Sequence, residues 1–282
     1  MLRTSFLLLL SCLAIFCSGI CRARDGFTLA TFNIRCPVDK TPNSWQERKD
    51  RCLTVIRNNR MDIFGIQEAV HQQLTDLLSG GEYAFIGGGR NDFKKSGEFS
   101  AILYRKERFQ VLESGTFSLS EKPEVPGHIS WNSACPRIAT WGLFLDKKTG
   151  RKFIYYNTHL DHISSQARVN GIKLIVEHAG KKANGLPLIL SGDFNAHPDS
   201  RVYQTASSLL KDSATVSETP HAGPLATYTG YGKSSSKQPI DFVFVSDNLR
   251  VLTHKTDNTR IDGKYPSDHD PVVVTLEFRK AE

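Results

Sequence analysis

Carboxylates, amides and imidazoles recur beside apolar runs along the whole of this 282-residue chain. They fall in residues 31–35 (TFNIR), 65–68 (GIQE), 157–162 (NTHLDH), 191–195 (SGDFN), 240–242 (IDF) and 267–271 (SDHDP). Oxygen-bearing side chains of this kind hold hard cations, and carboxylate–imidazole pairs orient water and move protons. Taken singly, each cluster has a plain structural explanation. Asn33 suits a turn. Glu68 suits a helix start, where a carboxylate meets the positive end of the helix dipole. His159 suits a satisfied histidine at a strand end, Gly192 with Asp193 a turn, and residues 268–271 a polar loop. Together they ask for a common cause, because strand ends in layered α/β proteins converge on one face. Two other motifs carry no chemistry. Gly87, Gly88 and Gly89 lack the Gly-Lys-Ser/Thr of a phosphate loop, and the three tryptophans at 45, 131 and 141 are dispersed packing residues.

The elements that must position these residues are legible from periodicity. Runs rich in β-branched and aromatic residues predict strands over 27–35, 62–67, 83–86, 99–105, 109–117, 139–146, 153–159, 186–191, 240–245, 250–256 and 271–278. A helix is predicted over 44–60: Ser44 and Glu47 form a capping box, and Cys52, Val55 and Ile56 share a face. A second spans 163–180, with Ala167, Ile172, Ile175 and Val176 on one stripe, and a third runs from a cap at Asp199 to Leu210. Many strands with helices between some of them predict an α/β sandwich, two packed sheets with helices outside. No repeat, low-complexity tract or linker divides residues 25–282, which read as one domain.

The N-terminus differs. Arg3, an apolar run over 6–16 and small residues from Ser18 onward describe a signal peptide, residues 1–23, cleaved somewhere between Gly19 and Arg24. Lipidation at Cys12 ranks below ordinary cleavage. The expected location is therefore secreted or periplasmic. Removing residues 1–24, with their three arginines and no acid, takes the formal charge from +7 to +4. That mild excess suits a phosphate-bearing substrate and is too weak to argue for nucleic-acid binding. Of six cysteines, Cys36, Cys52 and Cys135 lie beyond the signal, without a C-x-x-C pair, so a thiolate zinc site is not expected. Cys36 and Cys135, each before a proline, are the expected disulfide pair.

The series FNIR, IQE, NTHLDH, GDFN, IDFVF and SDHDP resembles the endonuclease/exonuclease/phosphatase superfamily, which includes DNase I, apurinic endonucleases, neutral sphingomyelinases, inositol polyphosphate phosphatases and deadenylases. The motifs occur in that superfamily's order across the chain beyond the signal. Residues 96–100 (SGEFS) and 134–139 (ACPRIA) further resemble exported or bacterial members with poorly defined substrates. The resemblance implies a four-layer α/β/β/α sandwich and Mg²⁺- or Mn²⁺-dependent hydrolysis of phosphate esters. Such hydrolysis needs a positioned water, neutralised phosphate charge and a stabilised leaving oxygen. On this reading Glu68, Asn33 and Asp268 hold the metal. Asp193 orients or deprotonates the water, and Asn195 donates to the phosphoryl oxygens. His159 and His269 contact the phosphate from two sides, with Asp241 orienting His269 and Glu98 orienting His159. Arg137 adds a phosphate contact. Asp161, His162 and Asp270 take structural roles. Whether His269 or Asp193 is the working base stays open.

The expected function is a phosphodiesterase, nuclease or phosphatase acting as a monomer without a stable protein partner. Its substrate is a nucleic acid, a phospholipid or a small phosphorylated metabolite. The alternatives are a catalytically silent phosphate-ligand binding protein on the same scaffold and a sphingomyelinase-type lipid phosphodiesterase. The absence of an amphipathic membrane helix from the sequence pattern counts against the lipid substrate.

Overall fold

The computed structural model describes residues 25–280; the predicted signal peptide lies outside them. In chain order the elements are β1 (Phe27–Asn33), α1 (Trp45–Asn58), β2 (Ile63–Gln67), α2 (His71–Leu77), β3 (Tyr83–Ile86), β4 (Ile102–Arg105), β5 (Phe109–Ser118) and β6 (Ile138–Asp146). There follow β7 (Lys152–His159), α3 (Ser165–Ala183), β8 (Leu188–Asp193), α4 (Arg201–Ser207), β9 (Lys211–Asp212), α5 (Ser213–Val216), β10 (Asp241–Val245), β11 (Leu249–Thr256) and β12 (Val272–Phe278). The strands form two six-stranded mixed sheets, β11-β12-β1-β2-β4-β3 and β5-β6-β7-β8-β10-β9.

Side-chain alternation builds three apolar layers. Leu29, Ile63 and Ile102 of the first sheet meet Phe153, Tyr155, Ile189 and Val243 of the second between the sheets. Their neighbours point the other way. Ala30, Phe32, Phe64 and Ile66 pack on Cys52, Val55 and Ile56 of α1 and Leu74 and Leu77 of α2. Tyr156, Leu188 and Leu190 pack on Ile172 and Ile175 of α3 and Val202 and Ala206 of α4. This is the predicted α/β/β/α sandwich, a DNase I-like arrangement. A period of two puts each central strand's residues into two different layers, so both faces are apolar.

The helix predictions hold with local corrections. Glu47 accepts from the Ser44 N–H and Oγ–H at 3.3 and 2.8 Å, starting α1 where the capping box predicts. The third predicted helix is capped by Ser200, whose Oγ accepts from Tyr203 N–H at 3.2 Å, and not by Asp199. It stops at Ser207, where paired serines compete for the backbone, short of Leu210. Helix α2 escapes the sequence reading because Val70 at its start offers no side-chain oxygen; the Gln73 amide oxygen takes the Val70 N–H instead, at 3.1 Å. The strand predicted from residue 99 begins only at Ile102, residues 99–101 forming isolated bridges and irregular backbone. No helix among the described residues is long and apolar enough to cross a membrane.

Register places the polar clusters together. Strands β1 and β2 run parallel and end level, with Asn33 beside Gln67. Strands β7 and β8 are parallel, with His159 beside Asp193, and antiparallel β10 sets Asp241 on the other side of Asp193. A buried polar seam couples the two sheets under this edge. Gln67 Nε2 donates to Asn157 Oδ1 at 2.7 Å, and Asn157 Nδ2 donates to the carbonyls of Ile66 and Ala101 at 2.9 Å each. The crossing amide explains Gly65: a Cβ there would stand 2.3 Å from Asn157 Oδ1.

Candidate active site

The sequence clusters meet in one cavity of about 430 Å³. Glu68, Glu98, Arg137, His159, Asp193, Asn195, Asp268 and His269 line it, as predicted residues, while Asn33 and Asp241 stand directly behind and are buried. Three pocket residues, Arg35, Glu68 and Asn195, adopt left-handed backbone conformations with φ of 60°, 64° and 46°. Such conformations are costly for long side chains and persist where surrounding contacts enforce them.

The centre is a chain of acids and imidazole. Asp241 Oδ2 accepts from His269 Nδ1–H at 2.8 Å, and His269 Nε2 lies 3.7 Å from Asp193 Oδ2. Burial opposes the charge on His269, but Asp241 and then Asp193 outweigh it and push the imidazole up to about 10. Burial, followed by repulsion from Asp241, raises Asp193 to about 7. At neutral pH the histidine is therefore a cation and a donor, and Asp193 is the group poised to take a proton. Asp193, Asp241 and His269 also have ligand atoms close enough to surround a metal. The short Asp241–His269 bond and the imidazolium favour an acid–base unit at that point.

Asn33 couples this unit to the neighbouring acids. Its Nδ2 donates to Glu68 Oε1 and Asp193 Oδ2, both at 3.0 Å. Its Oδ1 accepts the Arg35 N–H at 3.0 Å, so the amide holds the two carboxylates apart and turns its oxygen toward backbone, not toward a shared cation. Burial would raise Glu68, yet the Asn33 amide and the Cys36 N–H hold it below the ordinary carboxylate range. Asp268 is raised by burial, which outweighs attraction to His269, and repulsion from Glu68 adds to the rise. The Arg35 guanidinium stands 3.6 Å from Glu68 and 3.7 Å from Asp268. A positive charge thus already sits between the two acids that the sequence assigned to metal. The carboxylate oxygens of Glu68 and Asp268, around a site that already draws a cation, fit a hard divalent metal ion.

Arg48 of α1 supports both sides of this arrangement. It is fully buried, and its guanidinium donates to the carbonyls of Asn43 (2.8 Å), Ile34 (2.7 Å), Pro266 (3.1 Å) and Arg35 (3.1 Å). One side chain therefore binds the loop after β1 to the loop that carries Asp268 and His269. Ser267 Oγ–H strengthens the link by donating to the Asn33 carbonyl at 2.6 Å.

Several predicted details are corrected. Glu98 does not bond His159; its Oε2 accepts from Arg90 Nη1 at 2.7 Å. His159 is held instead by Asn195 Nδ2, 3.0 Å from Nε2. Its Nε2 lies 3.5 Å from Asp193, but burial and then repulsion from Arg137 keep the ring neutral, so the contact is no ion pair. Cys36 and Cys135 are free thiols and not a disulfide. Each is anchored separately, Cys36 by its N–H on Glu68 and Cys135 by its carbonyl on Ser133 Oγ. Burial, with repulsion from Glu68, pushes the Cys36 thiol up to about 12, so it is no nucleophile. His162, read as structural, lines the pocket and accepts from Arg137 Nη2 at 2.9 Å. Asp161 and Asp270 are structural as read: Asp161 accepts from Ile163 and Ser164 N–H, and Asp270 pairs with Arg260 at 2.7 Å. Arg35, Arg90 and Tyr228 line the pocket without having been singled out; only the position of Arg35 inside FNIR marked it.

A two-sheet sandwich with converging acids, imidazoles and amides at one edge defines a DNase I-like phosphoester site. The profile of the Endonuclease/Exonuclease/phosphatase family matches residues 30–269, and the chain belongs to that family. A solved family member from Bacteroides vulgatus is 35% identical, with a TM-score of 0.85, covering 90% of this chain and 99% of that one. A mannosyl-6-phosphatase from Bacteroides thetaiotaomicron is 33% identical, with a TM-score of 0.83, covering 89% and 100%. Nocturnin from Rattus norvegicus is 25% identical over 275 residues, 88% of this chain and 61% of that protein. The chain spans 44% of the Drosophila melanogaster nocturnin.

Proposed function

We propose that this protein is a divalent-cation-dependent phosphatase for small phosphorylated substrates, with phosphosugars the leading class. The observation that carries the reading is the unit of Asp241, His269 and Asp193, set in a half-open pocket beside two further acids. Asp193 takes the proton of the attacking water, which Asn33 helps to aim by fixing the carboxylate. His269, cationic and locked by Asp241, donates to a phosphoryl oxygen as negative charge develops there. Glu68 and Asp268 would hold Mg²⁺ or Mn²⁺, which when bound neutralises phosphate charge and stabilises the leaving oxygen. Arg137 and Arg35 add positive charge at the pocket wall. A cavity of about 430 Å³ has room for a phosphorylated monosaccharide more readily than for a duplex or a lipid face. The similarity to a mannosyl-6-phosphatase supports the same class.

The test is a panel of sugar phosphates, nucleotides, DNA, RNA and sphingomyelin, each with Mg²⁺ or Mn²⁺ and with EDTA. Release of phosphate from a sugar monoester, abolished by EDTA, is the expected result. Turnover confined to diesters would overturn the monoester reading, and no turnover on any ester would leave a silent binding protein.

A further inference from the structure

Arg35 faces three acids at once, and the distances rank them. Its Nε lies 3.1 Å from Asp39 Oδ2 and its Nη2 3.4 Å from Asp39 Oδ1, a two-point hydrogen-bonded pair. Glu68, 3.6 Å from Nη1, and Asp268, 3.7 Å from Nε, stand beyond hydrogen-bonding reach. The main chain is fixed whichever acid is chosen. Arg35 N–H donates to Asn33 Oδ1, and the Arg35 carbonyl accepts from Arg48 and Gln73. Only the side chain, 31% exposed, can choose among the three carboxylates.

Asp39 is itself braced. Tyr231 Oη–H donates to Asp39 Oδ2 at 3.0 Å, from 192 positions away in sequence. Burial would raise Asp39, yet the Arg35 guanidinium and the Tyr231 hydroxyl hold it below the ordinary carboxylate range, so it is charged at neutral pH. The turn that carries Tyr231 is tied to the acid loop. Thr229 N–H, Thr229 Oγ–H and Gly230 N–H all donate to the Asp268 carbonyl, at 2.7, 2.9 and 3.0 Å. Tyr231 takes a left-handed φ of 57°, a costly conformation for an aromatic residue that persists where its surroundings enforce it. Asp39 and Asp268 are thus tied to one turn, and the guanidinium that faces both is drawn to Asp39.

We propose that Asp39 is a positioning residue that docks the Arg35 guanidinium, with Tyr231 as its brace, and so keeps Glu68 and Asp268 open to a divalent cation. Without Asp39, Glu68 and Asp268 are the acids left within reach of the guanidinium. Both are largely buried, and a buried charge without a partner is costly, so the guanidinium closes on them. A guanidinium in contact with these two carboxylates takes the oxygens that a metal ion needs, and closure therefore competes with metal binding. Docked on Asp39, Arg35 instead stays at the pocket wall, where a phosphate can meet it. The metal arm of the test rests on the cation site proposed above at Glu68 and Asp268; the structural arm does not.

The metal arm measures the Kd of Mn²⁺ by titration calorimetry on the full protein without substrate. It compares wild type, Asp39→Ala, Tyr231→Phe, Arg35→Met and the double variant Asp39→Ala with Arg35→Met. Asp39→Ala should weaken Mn²⁺ binding by about 10-fold, the scale of coupling within one hydrogen-bonded network. Tyr231→Phe removes the brace without changing charge and should weaken it by about 3-fold. Arg35→Met should tighten it, and in that background Asp39→Ala should move Kd by less than about 2-fold. An equal loss in both backgrounds would show that Asp39 acts only as a nearby negative charge, and would overturn the docking role. An unchanged Kd in Asp39→Ala would do the same. The structural arm is a crystal structure of metal-free Asp39→Ala, in which Arg35 should be hydrogen-bonded to Glu68 or Asp268. A guanidinium that stays out of reach of both acids would overturn the proposal. A wild type that binds no Mn²⁺, with Arg35 closed on the acids in the variant, would refute the cation site and leave the docking of Arg35 standing.

Discussion

Asp241→Asn is the sharpest test of the proton chemistry, because it removes one charge and nearly preserves shape. The asparagine oxygen still accepts from His269 Nδ1, so the ring keeps its place; what changes is the field. His269 stands at about 10 against an ordinary 6.5, and at about 1.4 kcal/mol per pH unit that is about 5 kcal/mol in favour of the imidazolium. Asp241 is the first of the groups that raise it, 2.8 Å away. A unit charge at about 4 Å in an effective dielectric of about 20 is worth on the order of 4 kcal/mol, or about 3 pH units. The variant imidazole should therefore titrate near neutrality. Asp193 moves the same way, since repulsion from Asp241 is part of what raises it to about 7. Both limbs of the rate profile shift toward acid. Around pH 8 kcat should fall by about 10²-fold, with about 10-fold of that recovered at the new, lower optimum. The assay is kcat against pH from 5 to 10, with the divalent cation saturating, for wild type, Asp241→Asn, His269→Ala and the double variant. The double variant should be little worse than His269→Ala, because the pair acts as one unit. A loss that is uniform across pH, or fully multiplicative losses in the double variant, would refute the dyad. Reduced thermal stability with kcat intact would reduce Asp241 to a strand-end cap.

Glu68→Gln should fold normally and need more Mg²⁺ for half activity, since the amide keeps the shape and loses the charge that holds a hard cation; an unchanged metal titration would remove Glu68 from the site. Arg48→Met should destabilise the fold by about 3 kcal/mol in chemical denaturation, because it removes four hydrogen bonds from a buried guanidinium, of whose acceptors the Pro266 and Arg35 carbonyls keep Cys52 and Gln73 as donors while the buried Ile34 carbonyl loses its partner; a loss under about 1 kcal/mol would show that the clamp is dispensable. His254 lies 2.8 Å from His221, and burial, then repulsion from His221, lowers it from 6.5 to about 4. The unfolded chain binds this proton more readily than the folded one, so its stabilisation is present above about pH 6.5 and lost as pH falls toward about 4, with about 2 kcal/mol gone between pH 7 and 5. Replacing His254 with Gln should flatten that slope, and denaturation curves of equal slope would exclude the pair. Intact mass of the native exported protein should show residues before about Arg24 missing; a mass that retains Met1 would refute the signal peptide.

Features with strong signals among residues close in sequence were determined by the sequence alone. The capping box of Ser44 and Glu47 placed α1, runs of β-branched and aromatic residues placed the central strands, and motifs such as SGDFN and SDHDP marked the acids and imidazoles of the pocket. The succession of many strands with helices between some of them also implied a layered sandwich. Short elements with weak local signals, such as α2 and the two-residue β9, escaped because nothing within their own windows distinguishes them. Pairings across long separations were decided only by tertiary structure. The Asp241–His269 bond spans 28 residues and was inferable from chemical need, but the Asn33–Asp193 contact spans 160 and the Arg48–Pro266 contact 218. For Glu98 the same chemical reasoning chose the wrong partner, because Arg90 is nearer and charged. Cys36 and Cys135 share a pocket without joining, since each loop is pinned by its own hydrogen bonds. The physical reason is common to all of these. Periodicity and capping act over a few residues, whereas a hydrogen bond or ion pair is settled within about 3–4 Å by strand register and loop packing that no single stretch of sequence encodes.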